Sequence, residues 1–438
     1  MQAKSGIICE NIIPQIYIFK NKETEMKIKK ISINNICGIK HLDISFNQGV
    51  NLICGENGVG KTTILKAIAH QFLHGNDYFI KKHYGTEKGT VNIWIEEQKE
   101  EKSKEEKSFN YEIVDFIPGY INKRYYNRKY SDNILLFSSL RTMEYHKIRT
   151  LPSADEYIKN KNIKDKYTNN KYITYIDTSK SDKDSEILLS TGIKDDIKDW
   201  FINRYLFLNM KNSLNDYQIN NIELCKDFFR LLDENLNIET VKPDYEIILN
   251  NKDSKIYFEM LSDGYKSCLF ILLGIVKEIE YRFPEINAVD FDGIIMIDEI
   301  DIHLHPQWQA KLVKILKEVF NKAQIIATTH SPSVLQNATA EEIISLHKDE
   351  NNNTYIKKLN LGEYGLQGWT LEEIMKDVMG MPYTTSELYV NIMHNFDNAM
   401  NEDNQEQILK YYEILKKMLH PKNPMLQLLE IQVSEWKS

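Results

Sequence analysis

The chain has 438 residues, enough for two or three domains, and its 42% hydrophobic and 27% charged content is ordinary for a globular protein. A formal net charge of −8 excludes an overall basic field for nucleic acid or anionic membrane, so any such contact is local. The five cysteines include no CxxC pair, which argues against a zinc site or disulfide framework, and no apolar run approaches a bilayer span; a soluble protein of the reducing cytoplasm is expected.

Residues 1–25 read as an N-terminal extension, and Glu10 and Pro14 make it a poor signal peptide. From Met26 to Phe46 the pattern predicts two strands around a turn at Cys37-Gly38. Val50 to Cys54 is a compact apolar strand, then a Gly-rich loop and a helix from Thr62 to His74, closed by Gly75. Val91 to Glu97 and Phe109 to Phe116 alternate as strands, joined by a charged loop, and Leu135 to Ser138 is a further strand. Residues 150–185 are polar and Lys/Asn-rich, part of a variable insertion at about 140–240 whose second half, Ile193 to Leu236, has helical spacing. Tyr245 to Met260 alternates again. Helix 262–281, strand 293–298, helix 306–320 and strand 324–329 follow. Helices alternating with fully apolar strands predict a parallel sheet covered on both faces.

Two motifs carry chemistry directly. Gly55-Glu56-Asn57-Gly58-Val59-Gly60-Lys61-Thr62 matches GxxxxGK[ST] between a strand and a helix. Glycines let backbone N–H groups turn inward around phosphate oxygens, and the helix N-terminus adds its dipole. Gly55, Asn57, Gly58, Gly60, Lys61, Thr62 and Thr63 are the candidate ATP-binding residues, with Lys61 reaching the β and γ phosphates and Thr62 holding Mg²⁺. Ile294-Ile295-Met296-Ile297-Asp298-Glu299 delivers two adjacent carboxylates at a strand's end. Asp298 is the second candidate Mg²⁺ ligand, and Glu299 the residue that orients and polarises the attacking water. An acidic pair ending a strand is common; its partnership with the phosphate loop makes this one specific.

Leu261-Ser262-Asp263-Gly264-Tyr265 opens a helix with a capping serine. With this segment the chain resembles the ABC class of ATPases, the RecF-, OLD- and SMC-like heads among them, whose signature reads LSGGQ or a variant. The resemblance implies an α/β P-loop fold with a mixed sheet flanked by helices, an antiparallel β subdomain and a helical C-terminal region. It also implies that two heads sandwich ATP, so that Ser262 and Gly264 act in trans on the partner's nucleotide. In Ala327-Thr328-Thr329-His330-Ser331-Pro332, His330 matches the histidine that contacts the γ-phosphate. Ile300-Asp301-Ile302-His303-Leu304-His305-Pro306 matches the HLHP loop of RecF- and OLD-like heads. Two departures stand out. No Gln follows Phe137-Ser138-Ser139-Leu140-Arg141, where the class has its Q-loop, leaving Arg141 as the stand-in. Cys37 occupies a position that is usually basic. Neither His303/His305 nor His70/His74 has an evident third ligand, so no further metal site is assigned.

The stretch from Thr63 to Leu261 is too short for the long coiled coil of SMC-type proteins, and no OLD-type nuclease pattern follows His330. LSDGYKS, DEIDIHLHPQW, TTHSPSVL and the stretch from Trp369 to Gly380 resemble the ATPase subunits of Septu-type anti-phage systems, including those attached to retrons. That resemblance covers residues 26–438 and implies an ATPase that holds and regulates a separate HNH nuclease, with no nuclease motif of its own. The alternative is a RecF-like DNA-repair or DNA-sensing ATPase acting directly on DNA. The expected division is a head over 26–345 and a helical partner-docking or oligomerisation region over 346–438. There, Leu388, Ile392, Phe396 and Met400 form one apolar stripe and Ile408, Tyr411, Leu415 and Met418 another. Residues 120–130 interleave Lys123, Arg124, Arg128 and Lys129 with tyrosines, a candidate local nucleic-acid contact.

Overall fold

A computed structural model describes residues 25–73, 80–98, 104–114, 128–139, 197–252, 254–381 and 385–436. The N-terminal extension to residue 24, His74, most of the 120–130 segment, Arg141 and the 150–185 excursion lie outside the described residues.

Six strands form the central sheet: β3 (Val50–Gly55), β6 (Ile134–Phe137), β10 (Ile294–Ile297), β11 (Gln324–Thr328), β12 (Ile343–Lys348) and β13 (Thr354–Ile356). Their order across the sheet is β13-β12-β3-β11-β10-β6. Every pair is parallel except β12 with β13. The register sets Ile297 beside Ala327 and Phe137, and Thr328 beside Ile53. The carboxyl ends of β3, β10, β11 and β6 therefore open on one edge, where an α/β sheet places its ligands.

Alternate residues of these strands enter two different cores, as the two-residue period of a strand requires. Ile53, Ile294, Met296 and Ile326 pack with α1 (Lys61–Phe72) and an antiparallel sheet. Leu52, Leu135, Phe137, Ile295, Ile297 and Ile325 pack on the other face with α2 (Ile197–Phe207), α3 (Asp216–Leu232) and α4 (Asp263–Arg282). The antiparallel sheet is built from β1 (Met26–Ile36), β2 (Ile39–Ser45), β4 (Gly89–Gln98) and β5 (Lys104–Ile113), in the order β2-β1-β4-β5. Gln324, fully buried, fastens it to the central sheet: its amide donates to Ile28 O at 2.8 Å and Asn47 O at 2.7 Å and accepts from Ile28 N at 2.8 Å.

One expectation needs correction. The apolar spacing from Ile193 to Leu236 is not one helical run: α3 ends at Leu232, and β7 (Leu236–Val241) starts a three-stranded sheet with β8 (Ile247–Asn251) and β9 (Ser254–Tyr257). Asp233 makes the break, its carboxylate accepting from Asn235 N at 3.0 Å. The boundary expected at 345 falls inside β12, so the central sheet takes in residues through Ile356. Within the 120–130 segment, Tyr130 is a core residue, 4% exposed, whose hydroxyl donates to Glu97 at 3.0 Å, and Lys129 pairs with the same carboxylate.

The helices α5 (Pro306–Val319), α6 (Pro332–Leu335) and α7 (Leu371–Glu373) belong to the larger body, and α7 runs on into a π turn, Ile374–Val378. Beyond it, α8 (Glu387–Asn401), α9 (Gln405–Met418) and α10 (Pro424–Val433) enclose a separate small core of Phe396, Ala399, Ile408, Tyr412, Leu415, Leu429 and Val433. Phe396→Ala should therefore cost about 3–5 kcal/mol, most of what so small a core supplies. Hydrogen exchange would show residues 387–433 opening while the central sheet stays protected; unchanged protection there would refute the independence of this core.

Candidate active site

Strand β3 delivers the phosphate loop, and its geometry explains the glycines. Gly55 has φ 140°, and a Cβ there would lie 2.1 Å from Leu346 O on the neighbouring β12. Gly60, at φ 110°, is the residue before α1, and a Cβ there would strike the Ile39 side chain at 2.8 Å. Other side chains at these positions would push the loop off the sheet. Thr354 of β13 braces the loop from outside, its hydroxyl donating to Val59 O at 3.0 Å.

Lys61 is 5% exposed, and its ammonium donates to Gly55 O and Glu56 O, each at 2.9 Å. Burial draws its pKa down, opposed by the negative groups around it, Glu299, Asp298 and Asp301 among them. The Thr62 hydroxyl donates to the Asp298 carboxylate at 3.0 and 3.1 Å, so the two expected metal ligands meet across residues far apart in the chain. A hydroxyl beside a carboxylate is an all-oxygen donor set of the kind Mg²⁺ takes, with room for water and phosphate in its remaining positions. The residues present fit that ion.

Thr328, at the end of β11, joins the acidic pair. Its hydroxyl donates to Asp298 Oδ1 at 2.6 Å and accepts from Glu299 N at 2.7 Å. Glu299 has φ 49°, a left-handed conformation costing a non-glycine residue roughly 1–2 kcal/mol, and the Thr328 bond holds it there. His330 follows on the next loop, half-buried. Burial first, then the Lys61 charge, hold its pKa below the ordinary histidine value, which favours the neutral ring.

Ser262 caps α4, accepting from Tyr265 N at 3.3 Å, and it and Asp263 are exposed. Gly264 lies against the loop after Glu299: a Cβ there would sit 2.9 Å from His303 O. Asn57 and Gly58 are exposed at the loop's tip, and Thr63 is partly buried in the first turn of α1. Ser138, just past the end of β6, lies at the same edge as the acidic pair, since Asp298 N donates to Phe137 O at 2.8 Å. His305 caps α5, and His70 stacks on Tyr111 with ring centroids 4.7 Å apart.

Several groups at this site escape sequence reasoning. Thr328 and Thr329 sit in the run that marks His330, yet nothing local shows that Thr328 bridges the acidic pair. Gly380 also approaches the loop from the far end of the chain. At φ 75°, a Cβ on it would lie 2.8 Å from Glu56 Oε1 and 2.9 Å from the His347 ring. Ser345 and His347 of β12 both bond Val378 O, the His347 contact measuring 3.0 Å.

Residues 50–336 match a family model described as "AAA domain, putative AbiEii toxin, Type IV TA system". The Septu protein PtuA of Bacillus thuringiensis is 37% identical over 414 residues, 93% of this chain and 98% of that protein. The chain belongs to the PtuA family of Septu proteins. A second PtuA, from Bacillus mycoides, is 27% identical over 344 residues, 75% of this chain and 42% of its own length. Among solved structures, the SMC head domain from Thermotoga maritima aligns over 76% of this chain and 100% of its own, at 14% identity and TM-score 0.41. As a PtuA-family protein the chain is a P-loop ATPase of the AAA/ABC class that binds ATP. Among the described residues, no helix of this PtuA-family chain is long and apolar enough to cross a membrane.

Proposed function

We propose that this chain is the ATPase subunit of an anti-phage complex: two heads clamp ATP and Mg²⁺ between them, and the assembly holds and regulates a separate HNH nuclease. The convergence of Lys61, Thr62, Asp298, Glu299 and His330 at one sheet edge supports the hydrolytic part most directly. Lys61 and the loop amides bind the β and γ phosphates, while Thr62 and Asp298 hold Mg²⁺, which when bound neutralises phosphate charge. Glu299 orients water for in-line attack, and neutral His330 hydrogen-bonds the γ-phosphate. Ser262 and Gly264, at the exposed start of α4, complete the partner head's site, so the assembly is a two-fold dimer with two composite sites.

The head comprises residues 26–381 in this reading, with Leu366, Ile374, Val378 and Met379 in its core, and α8 to α10 form the docking module. Leu388, Leu428 and Ile431 are 62%, 54% and 69% exposed on α8 and α10, outside the small core those helices share. Apolar side chains so placed suit a partner surface, and membership of the PtuA family favours the nuclease as that partner, with assembly of further heads as a parallel role. Deleting residues 384–438 should leave ATP binding intact and abolish co-purification with the HNH protein. Full-yield capture by the shortened chain would sink the docking assignment.

A further inference from the structure

Resting on that reading of Glu299 and His330, we infer that Gln309 is a positioning residue for hydrolysis: one amide that locks the loop following Glu299 to the loop carrying His330. Gln309 lies, partly buried, in the first turn of α5. Its Nε2 donates to Leu304 O at 2.9 Å and to Asp301 O at 3.3 Å, and its Oε1 accepts from the Ser331 hydroxyl. The two carbonyls can only accept, which fixes the amide's orientation, nitrogen toward them and oxygen toward Ser331.

The Ser331 hydroxyl is itself held from a second direction, since it also accepts from Ser333 N at 3.1 Å as the cap of α6. The other side of His330 is tied to the same loop. Asp301 Oδ1 accepts from the Thr329 hydroxyl at 2.7 Å and from His330 N at 3.1 Å. The hydroxyls of the residues on either side of His330, and its own backbone N–H, are thus bound to residues 301–309, a segment that begins two residues after Glu299. Asp301 makes the bond on one side and Gln309 the bond on the other. Among the described residues, the Gln309 side chain hydrogen-bonds Asp301 O, Leu304 O and Ser331 and none of the groups assigned to phosphate or water, so its effect passes through His330 and the turn at Glu299.

Replacing Gln309 with Leu keeps the side chain's bulk and removes all three bonds. The expected result, in steady-state ATPase assays on the full chain, is a kcat lowered by roughly ten- to a hundredfold with KM for ATP within about twofold of wild type. Gln309→Glu is the second variant should the leucine chain fail to fold. It keeps an acceptor for Ser331 and loses the donor to the two carbonyls, so the same split is expected. Ser331→Ala removes the Gln309–Ser331 bond from the other side, and the double variant Gln309→Leu/Ser331→Ala should lose less than the product of the two single losses. Wild-type kcat in both Gln309 variants overturns the inference, as does a KM rise that accounts for the whole loss, which is what a merely structural role would give. Glu299→Gln is run alongside. If it is inactive while the Gln309 variants turn over normally, the inference alone fails; if it too turns over normally, the proposed site fails first.

Discussion

Glu299→Gln should leave ATP affinity unchanged and slow phosphate release by roughly a hundred- to ten-thousandfold, about 3–5 kcal/mol in the barrier. The amide keeps the side chain's length and the left-handed turn, whose anchoring bond from Glu299 N to Thr328 is made by the backbone. What it loses is the charge that orients and polarises water. Slow hydrolysis with intact binding should also trap the closed dimer, visible as ATP-dependent doubling of mass in light scattering. Lys61→Ala is the contrast: it removes the buried ammonium that bonds Gly55 O and Glu56 O, and binding itself should fail. Normal turnover in Glu299→Gln would move the water-orienting role elsewhere.

Ser262→Arg should bind ATP and hydrolyse almost none of it. Ser262 is exposed, and its hydroxyl serves as the cap by accepting from Tyr265 N, so the local cost is that of a lost helix cap, about 1 kcal/mol. The larger effect arises in trans, where an arginine would fill the space a partner's γ-phosphate needs. Mixing separates this from local damage. An equimolar, randomly exchanged mixture of Ser262→Arg and Lys61→Ala chains places half its molecules in mixed dimers, each with one intact composite site. Roughly a quarter of wild-type turnover should then return from two inactive proteins. If the mixture stays inactive although mixed dimers are seen by mass, the heads do not complete one another's sites.

The parts of this site legible in the sequence are those whose chemistry is contiguous. The phosphate loop, the Asp298-Glu299 pair and His330 are short runs at strand ends, and apolar β3, β10 and β11 announce where those ends lie. The sequence could not show what joins distant segments. The threonine bridging the acidic pair, the amide of Gln309 and the contact of Gly380 with Glu56 each link residues that only the folded sheet brings together. The same limit explains β12, a six-residue strand whose partner is β3, and β7, which follows too closely on the apolar face of α3 to be told apart. It also hides the fully buried pair of Arg204 and Glu280, 2.7 Å apart, which ties α2 to α4 inside a stretch that reads as apolar spacing alone.

The meeting of Gly380 with Glu56 bears on how this protein can be dissected. At Gly380 the peptide that leads towards α8 passes so close to the phosphate loop that a side chain there would meet both the Glu56 carboxylate and the His347 ring. A chain cut ahead of Ile374 would strip that cover as well as the terminal helices, and any change in capture of the proposed nuclease partner would arrive mixed with a change at the nucleotide. A cut at residue 383 leaves the cover in place. Comparing the two cuts would measure, as a difference in ATP affinity, how firmly the terminal segment restrains the phosphate loop.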